Sequence, residues 1–215
     1  MLTTASAMAD TRKTTMDITR IAPPQPFKAL IFDCDGTLAD TMPNHFKAWA
    51  ASLQSFGADL TEENFYRMGG WPNQAIIEDL NREFGNGLDI EKTQEDKEHR
   101  YLEILHTVEE IKAVADIARA HHGQVPMAVA SSGFGRVVRE TLTRTGLISL
   151  FDVIVTADDV THGKPAPDLF LLAAERIGTA PADCIVYEDG DPGLEAAKRA
   201  NMRAIDIRVL WQDAK

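Results

Sequence analysis

The chain has 215 residues, 44% of them hydrophobic and 26% charged, and carries a formal net charge of -11. That composition is globular and long enough to bury a substantial core, and its acidity argues against a nucleic-acid or membrane-surface partner. Only two cysteines occur, Cys34 and Cys184, each beside an apolar run, so a disulfide framework is not expected and a reducing, cytoplasmic setting fits.

Residues 1–26 end in Pro23, Pro24 and Pro26 and hold no apolar stretch of signal-peptide length, so they read as a flexible lead-in. No run along the chain is apolar and long enough to span a membrane. A first strand is expected at 28–32. Directly after it, Asp33-Cys34-Asp35-Gly36-Thr37 sets two carboxylates two positions apart at the end of a buried run. Ionised carboxylates there are costly unless a metal, a proton or a cation offsets their desolvation.

One crossover helix would suffice before the next strand, yet residues 42–108 hold a long series of helical patterns. Asn44 to Phe56 carries apolar positions at helical spacing, Thr61 before Glu62 and Glu63 has the form of a helix N-cap, and Gly69-Gly70-Trp71-Pro72 breaks the pattern as a loop. The stretch 42–108 therefore reads as an all-helical cap inserted into an α/β core of 27–41 and 109–215. Further strands are expected at 125–130, 152–156, 184–187 and 203–208. Helices over 133–145 and 167–177 separate them, each ending at a glycine. Strand and helix in alternation predict a Rossmann-like parallel sheet whose ligands bind beyond the carboxyl ends of the strands.

Polar residues sit at those ends. Asp33 and Asp35 follow the first strand, Ser131-Ser132-Gly133 the second, Lys164 the third, and Glu188-Asp189-Gly190-Asp191 the fourth. Ser131 and Ser132 before a helix offer hydroxyls and free amides to a phosphate. Two facing acidic clusters suit a hard divalent cation such as Mg²⁺. Singly each residue has an ordinary reading: the serines as helix caps, Lys164 as a surface lysine, Asp191 as an N-cap ahead of Pro192. Their coincidence at four strand ends outweighs those readings.

With these motifs in order over residues 27–210, the chain resembles the haloacid dehalogenase-like (HAD) hydrolase superfamily. Within it the likeness is to the branch with a small helical cap that includes β-phosphoglucomutase and sugar phosphatases, fructose-1-phosphate-type phosphatases above all. The resemblance implies that Asp33 attacks phosphorus to form an aspartyl phosphate and that Asp35 serves as acid and then base. It implies Mg²⁺ held by Asp33, Asp35 through its backbone carbonyl, Glu188 and Asp189, with Ser131, Ser132 and Lys164 on the phosphoryl oxygens. His45, just past the first hinge, and its neighbour Asn44 are the substrate-binding candidates. Where the mutase carries a cap-loop arginine this chain has Asn73, which favours a phosphatase acting on a small sugar phosphate over the alternatives of mutase or phosphoglycolate phosphatase, with Arg67 or Arg82 as the alternative sources of a guanidinium. Gly190 and Asn201 also depart from the pattern, and Asn201 suits a left-handed helix end. A dehalogenase would not need Asp35, Glu188 and Asp189, and a signalling receiver domain would lack the helical insertion. A monomer is the default expectation.

Overall fold

Five parallel strands carry the fold in the computed structural model, which describes residues 18–69, 71–85 and 87–211. They are β1 (Ala29–Phe32), β2 (Met127–Ala130), β3 (Val153–Val155), β4 (Cys184–Glu188) and β5 (Arg203–Asp206), in the spatial order β3-β2-β1-β4-β5. Leu30 pairs with Met127 on one side and with Ile185 on the other, so β1 lies in the middle and the winding reverses beside it. Every residue of β1, β2 and β4 is buried. An unbroken apolar run is what a sheet covered on both faces requires.

The two-residue period sorts these side chains into two cores. Leu30, Phe32, Val129 and Tyr187 pack beneath α5 (Lys112–His121) and α6 (Gly135–Arg144), whereas Ala29, Ile31, Ala128 and Val186 pack beneath α7 (Asp168–Arg176) and α8 (Asp191–Arg199). Connections before β3 thus run over one face and those after it over the other. All strands point the same way, which gathers their carboxyl ends along one edge.

Between β1 and α5 the described residues form four α-helices: α1 (Met42–Ser55), α2 (Glu62–Arg67), α3 (Asn73–Phe84) and α4 (Ile90–Ile104). They enclose an apolar cluster of their own built on Trp49, Leu53, Phe65, Ile77 and Leu80. The Thr61 hydroxyl caps α2 by accepting from the Asn64 amide at 3.2 Å. A buried bond between Tyr101 on α4 and Thr141 on α6, 3.0 Å long, ties these helices to the sheet's cover.

Four local expectations change. Residues 18–26 are not a loose lead-in: Ile18–Ile21 forms a 3₁₀ turn, Ile21 is fully buried, and its carbonyl accepts from the Tyr187 hydroxyl at 2.9 Å. The rest of that expectation, residues 1–17, lies outside the described residues. The last strand stops at Asp206 rather than 208, because the Asp206 carboxylate accepts from the Arg208 amide at 3.0 Å and caps a 3₁₀ helix over Ile207–Leu210. Asp191 is the first residue of α8 and not its N-cap, which is Gly190. The Gly190 amide points back to Glu188 at 3.0 Å, and the Asp191 carboxylate pairs with Arg208 at 2.8 Å. Strand β2 begins two residues late because Pro126 has no N–H, although its carbonyl still accepts from Leu30 at 3.2 Å. Asn201 adopts the left-handed backbone expected of it, with φ 57°.

Candidate active site

Asp33 leaves the end of β1 with its backbone amide bonded to the Tyr187 carbonyl at 3.0 Å, so neighbouring strands fix it in place. Its carboxylate is almost fully buried and accepts from Lys164 Nζ at 2.5 Å. The same ammonium donates to Glu188 Oε2 at 2.7 Å. Glu188 Oε1 in turn accepts from the amides of Asp189 and Gly190, so both its oxygens are engaged. The loop Gly163 to Pro167, following β3, thereby delivers its lysine to a site built on two other strands.

Two glycines permit this closeness. Gly36 has φ 82°, and a Cβ there would stand 2.2 Å from Asp189 Oδ2. A Cβ on Gly193 would stand 2.0 Å from Glu188 Oε2. Thr37 completes the turn by donating to Asp189 Oδ1 at 3.0 Å.

Asp33, Glu188 and Asp189 present carboxylate oxygens that all lie within 4.8 Å of one another. Burial raises the pKa of Asp33 well above the usual carboxylate range, helped by repulsion from Glu188 and opposed by Lys164. Burial and Glu188 also push Asp189 up to about 7. One lysine does not balance this much buried negative charge. A hard divalent cation among oxygen ligands would, so the residues present fit Mg²⁺.

Asp35 turns away from that cluster. Its Oδ1 lies 3.0 Å from His45 Nε2, and its Oδ2 accepts from Ser131 Oγ at 3.4 Å. Although burial alone would raise its pKa, His45 and Lys97 bring it down to about 2. Burial and Lys97 lower the pKa of His45. A neutral imidazole carrying its proton on Nε2 donates to Asp35 and leaves its buried Nδ1 without a hydrogen-bond partner among the described residues. The ring stacks on Tyr101, centroids 4.1 Å apart.

Ser131 Oγ accepts from the Gly133 amide at 3.0 Å, while Ser132 Oγ is buried with no hydrogen-bond partner among the described residues. Neither serine caps α6, whose N-cap is Phe134. Asn44 does not line the cleft above these groups. Its amide donates to the Ile104 carbonyl at 3.0 Å and to Thr107 Oγ1 at 2.8 Å, which makes it a brace between the ends of the helical insertion rather than a substrate ligand. That corrects the expectation drawn from its place beside His45.

The cleft itself holds about 500 Å³ between the strand ends and the helices, within the usual range for a small-molecule site. Asn73 lines it, as does Arg67, whose guanidinium is drawn towards Glu83 at 3.5 Å and Asp79 at 3.8 Å. Arg82 also bonds Asp79. Lys97 enters from α4, and sequence reasoning missed it. It is 4% exposed, lies over the rings of Trp49 and Tyr101, and has its pKa lowered by burial to about 8. The signal was there: Thr93, Lys97 and Tyr101 recur every four residues as the buried face of α4.

The haloacid dehalogenase-like hydrolase family model matches residues 30–207. The chain belongs to this family. Among its relatives in this HAD family, fructose-1-phosphate phosphatase YqaB of Escherichia coli is 39% identical over 86% of this chain and 98% of its own length. β-Phosphoglucomutase of Bacillus subtilis is 30% identical over 84% of this chain and 83% of its own. The crystal structure of CbbY from Rhodobacter sphaeroides in complex with phosphate superposes with a TM-score of 0.77 at 25% identity, covering 84% of this chain and 86% of that one. The α/β Rossmann-like core is thus the HAD core. No helix among the described residues is long and apolar enough to cross a membrane.

Proposed function

We propose that this HAD hydrolase, a phosphoric-monoester hydrolase, removes phosphate from a small sugar phosphate through an aspartyl-phosphate intermediate with Mg²⁺ bound. The observation that carries the reading is the Asp33 carboxylate on the floor of a helix-covered cleft, between Lys164 and the acidic pair Glu188 and Asp189. In the first step an Asp33 oxygen bonds to phosphorus as the bond to the sugar oxygen breaks, and that oxygen takes a proton from Asp35, which the negative charge of the bound phosphoryl group would raise from its low resting pKa into its acid form. In the second, Asp35 accepts a proton from the water that attacks phosphorus and frees Asp33. Lys164 and the spare Ser132 hydroxyl receive phosphoryl oxygens, and His45 holds the Asp35 carboxylate towards the leaving group. Asp33, Glu188, Asp189 and the Asp35 carbonyl would hold Mg²⁺, which supplies neutralisation of phosphoryl charge when bound.

Hydrolysis is favoured over mutase-type transfer because Asn73 offers no guanidinium and Arg67 is held by two carboxylates. The test is phosphate release with Mg²⁺ present and absent, across fructose 1-phosphate, other sugar phosphates, phosphoglycolate and β-glucose 1-phosphate. The expected result is metal-dependent release with a sugar phosphate preferred. Isomerisation of β-glucose 1-phosphate to glucose 6-phosphate with little free phosphate would overturn it.

A further inference from the structure

Glu98 follows Lys97 on α4 and so leaves the helix about 100° further round, outside the stripe that faces Asp35 and His45. It lines the cleft, where the charges of Asp158 and Arg136 reach it from the core. Its Oε1 is buried and has no hydrogen-bond partner among the described residues. Burial raises its pKa, an effect that Lys97 opposes. A carboxylate oxygen withdrawn from water without a donor is costly, so an occupant of the cleft that brings a donor is favoured there. Carboxylates accept and do not donate, which favours groups that bring a donor, as the hydroxyls of a sugar do. An anionic group in the same place meets like charge in poorly solvated surroundings. The cleft is also lined by Trp71 and Phe134, both only partly buried, which offer flat apolar surface to a carbon skeleton.

We infer that Glu98 determines specificity, accepting hydrogen bonds from the hydroxyls of an uncharged, polyhydroxylated leaving group and turning away substrates with a second phosphate or carboxylate. This inference rests on the phosphatase reading of the same cleft. Lys164 and Ser132 take the phosphoryl group to be cleaved, and Glu98 reads what is attached to it.

The test compares wild type, Glu98→Gln and Glu98→Ala for kcat/KM in Mg²⁺ on fructose 1-phosphate, fructose 1,6-bisphosphate and phosphoglycolate. Glutamine keeps the volume and one acceptor oxygen but removes the charge. It should lower kcat/KM on fructose 1-phosphate by about tenfold, chiefly through KM, and raise it by about threefold on the two compounds that carry a second anionic group. Alanine should relax selectivity in the same direction with a deeper loss on fructose 1-phosphate. Equal losses on all three substrates in both variants would show a merely structural role and overturn the inference while leaving the phosphatase reading intact. A wild-type protein that releases phosphate from none of them would overturn both.

Discussion

Replacing Lys97 by methionine should make the protein more stable and less active. Lys97 carries its ammonium 5.5 and 5.7 Å from the ring centroids of Trp49 and Tyr101, at 4% exposure. Burial lowers its pKa from 10.5 to about 8, against attraction from Asp35 and Glu98. The folded state therefore holds this proton less tightly than the unfolded chain does. Between pH 8 and 10.5 the unfolded chain carries more protons, so this group's contribution to stability rises with pH, and below pH 8 its full penalty remains. The gap corresponds to roughly 3 kcal/mol at neutral pH. Methionine keeps the apolar stem and loses two cation–aromatic contacts close to the distance limit, each worth about 0.5–1 kcal/mol, hence about 1–2 kcal/mol together. We expect Lys97→Met to gain about 1–3 kcal/mol in urea unfolding at pH 7, with the advantage shrinking as pH rises through 8 towards 10.5. Phosphate release should fall at least about tenfold, because a charge facing Asp35 is gone. A variant less stable than wild type at pH 7, or one whose advantage is unchanged at pH 10, would refute the reasoning.

Gly193→Ala would place a methyl 2.0 Å from Glu188 Oε2, and a shift of about 1 Å in that carboxylate should cost on the order of 10² in kcat. As a control, Gly178→Ala, at φ 67° with nothing within 4 Å, should lose about 1–2 kcal/mol in thermal unfolding yet keep its kcat. Asn44→Ala should lower stability by about 1–3 kcal/mol through its two lost hydrogen bonds and leave KM within about twofold, as steady-state assays would show. Ile21→Ala should cost about 2–5 kcal/mol in urea unfolding, whereas a negligible loss would mean that the 3₁₀ turn is not part of the core.

What the sequence made legible follows from where each signal lives. Strands such as Ala29–Phe32 and Cys184–Glu188 are continuous apolar runs bounded by turn residues, and a parallel sheet must bring their carboxyl ends together. Asp33, Ser131, Lys164 and Glu188 could be assembled on paper for that reason. Lys97 and Glu98 were not, because the charged stretch 91–100 reads as a solvated helix despite the four-residue recurrence of Thr93, Lys97 and Tyr101. Ile21 was hidden for another reason. Its attachment is a bond to Tyr187, far along the chain, behind three prolines that suggest a loose segment. Asn44 erred in the opposite sense, since adjacency to His45 says nothing about which way a helical side chain points, and neighbouring positions face about 100° apart.

The most direct test of the account is phosphate release from fructose 1-phosphate by Asp33→Asn beside wild type, in Mg²⁺, with folding checked by thermal melting. Asparagine keeps the shape and removes the attacking oxygen's charge. Asp33→Asn should stay folded while its turnover falls by more than about 10³. Retention of more than about a tenth of wild-type activity would contradict the claim that Asp33 is the nucleophile.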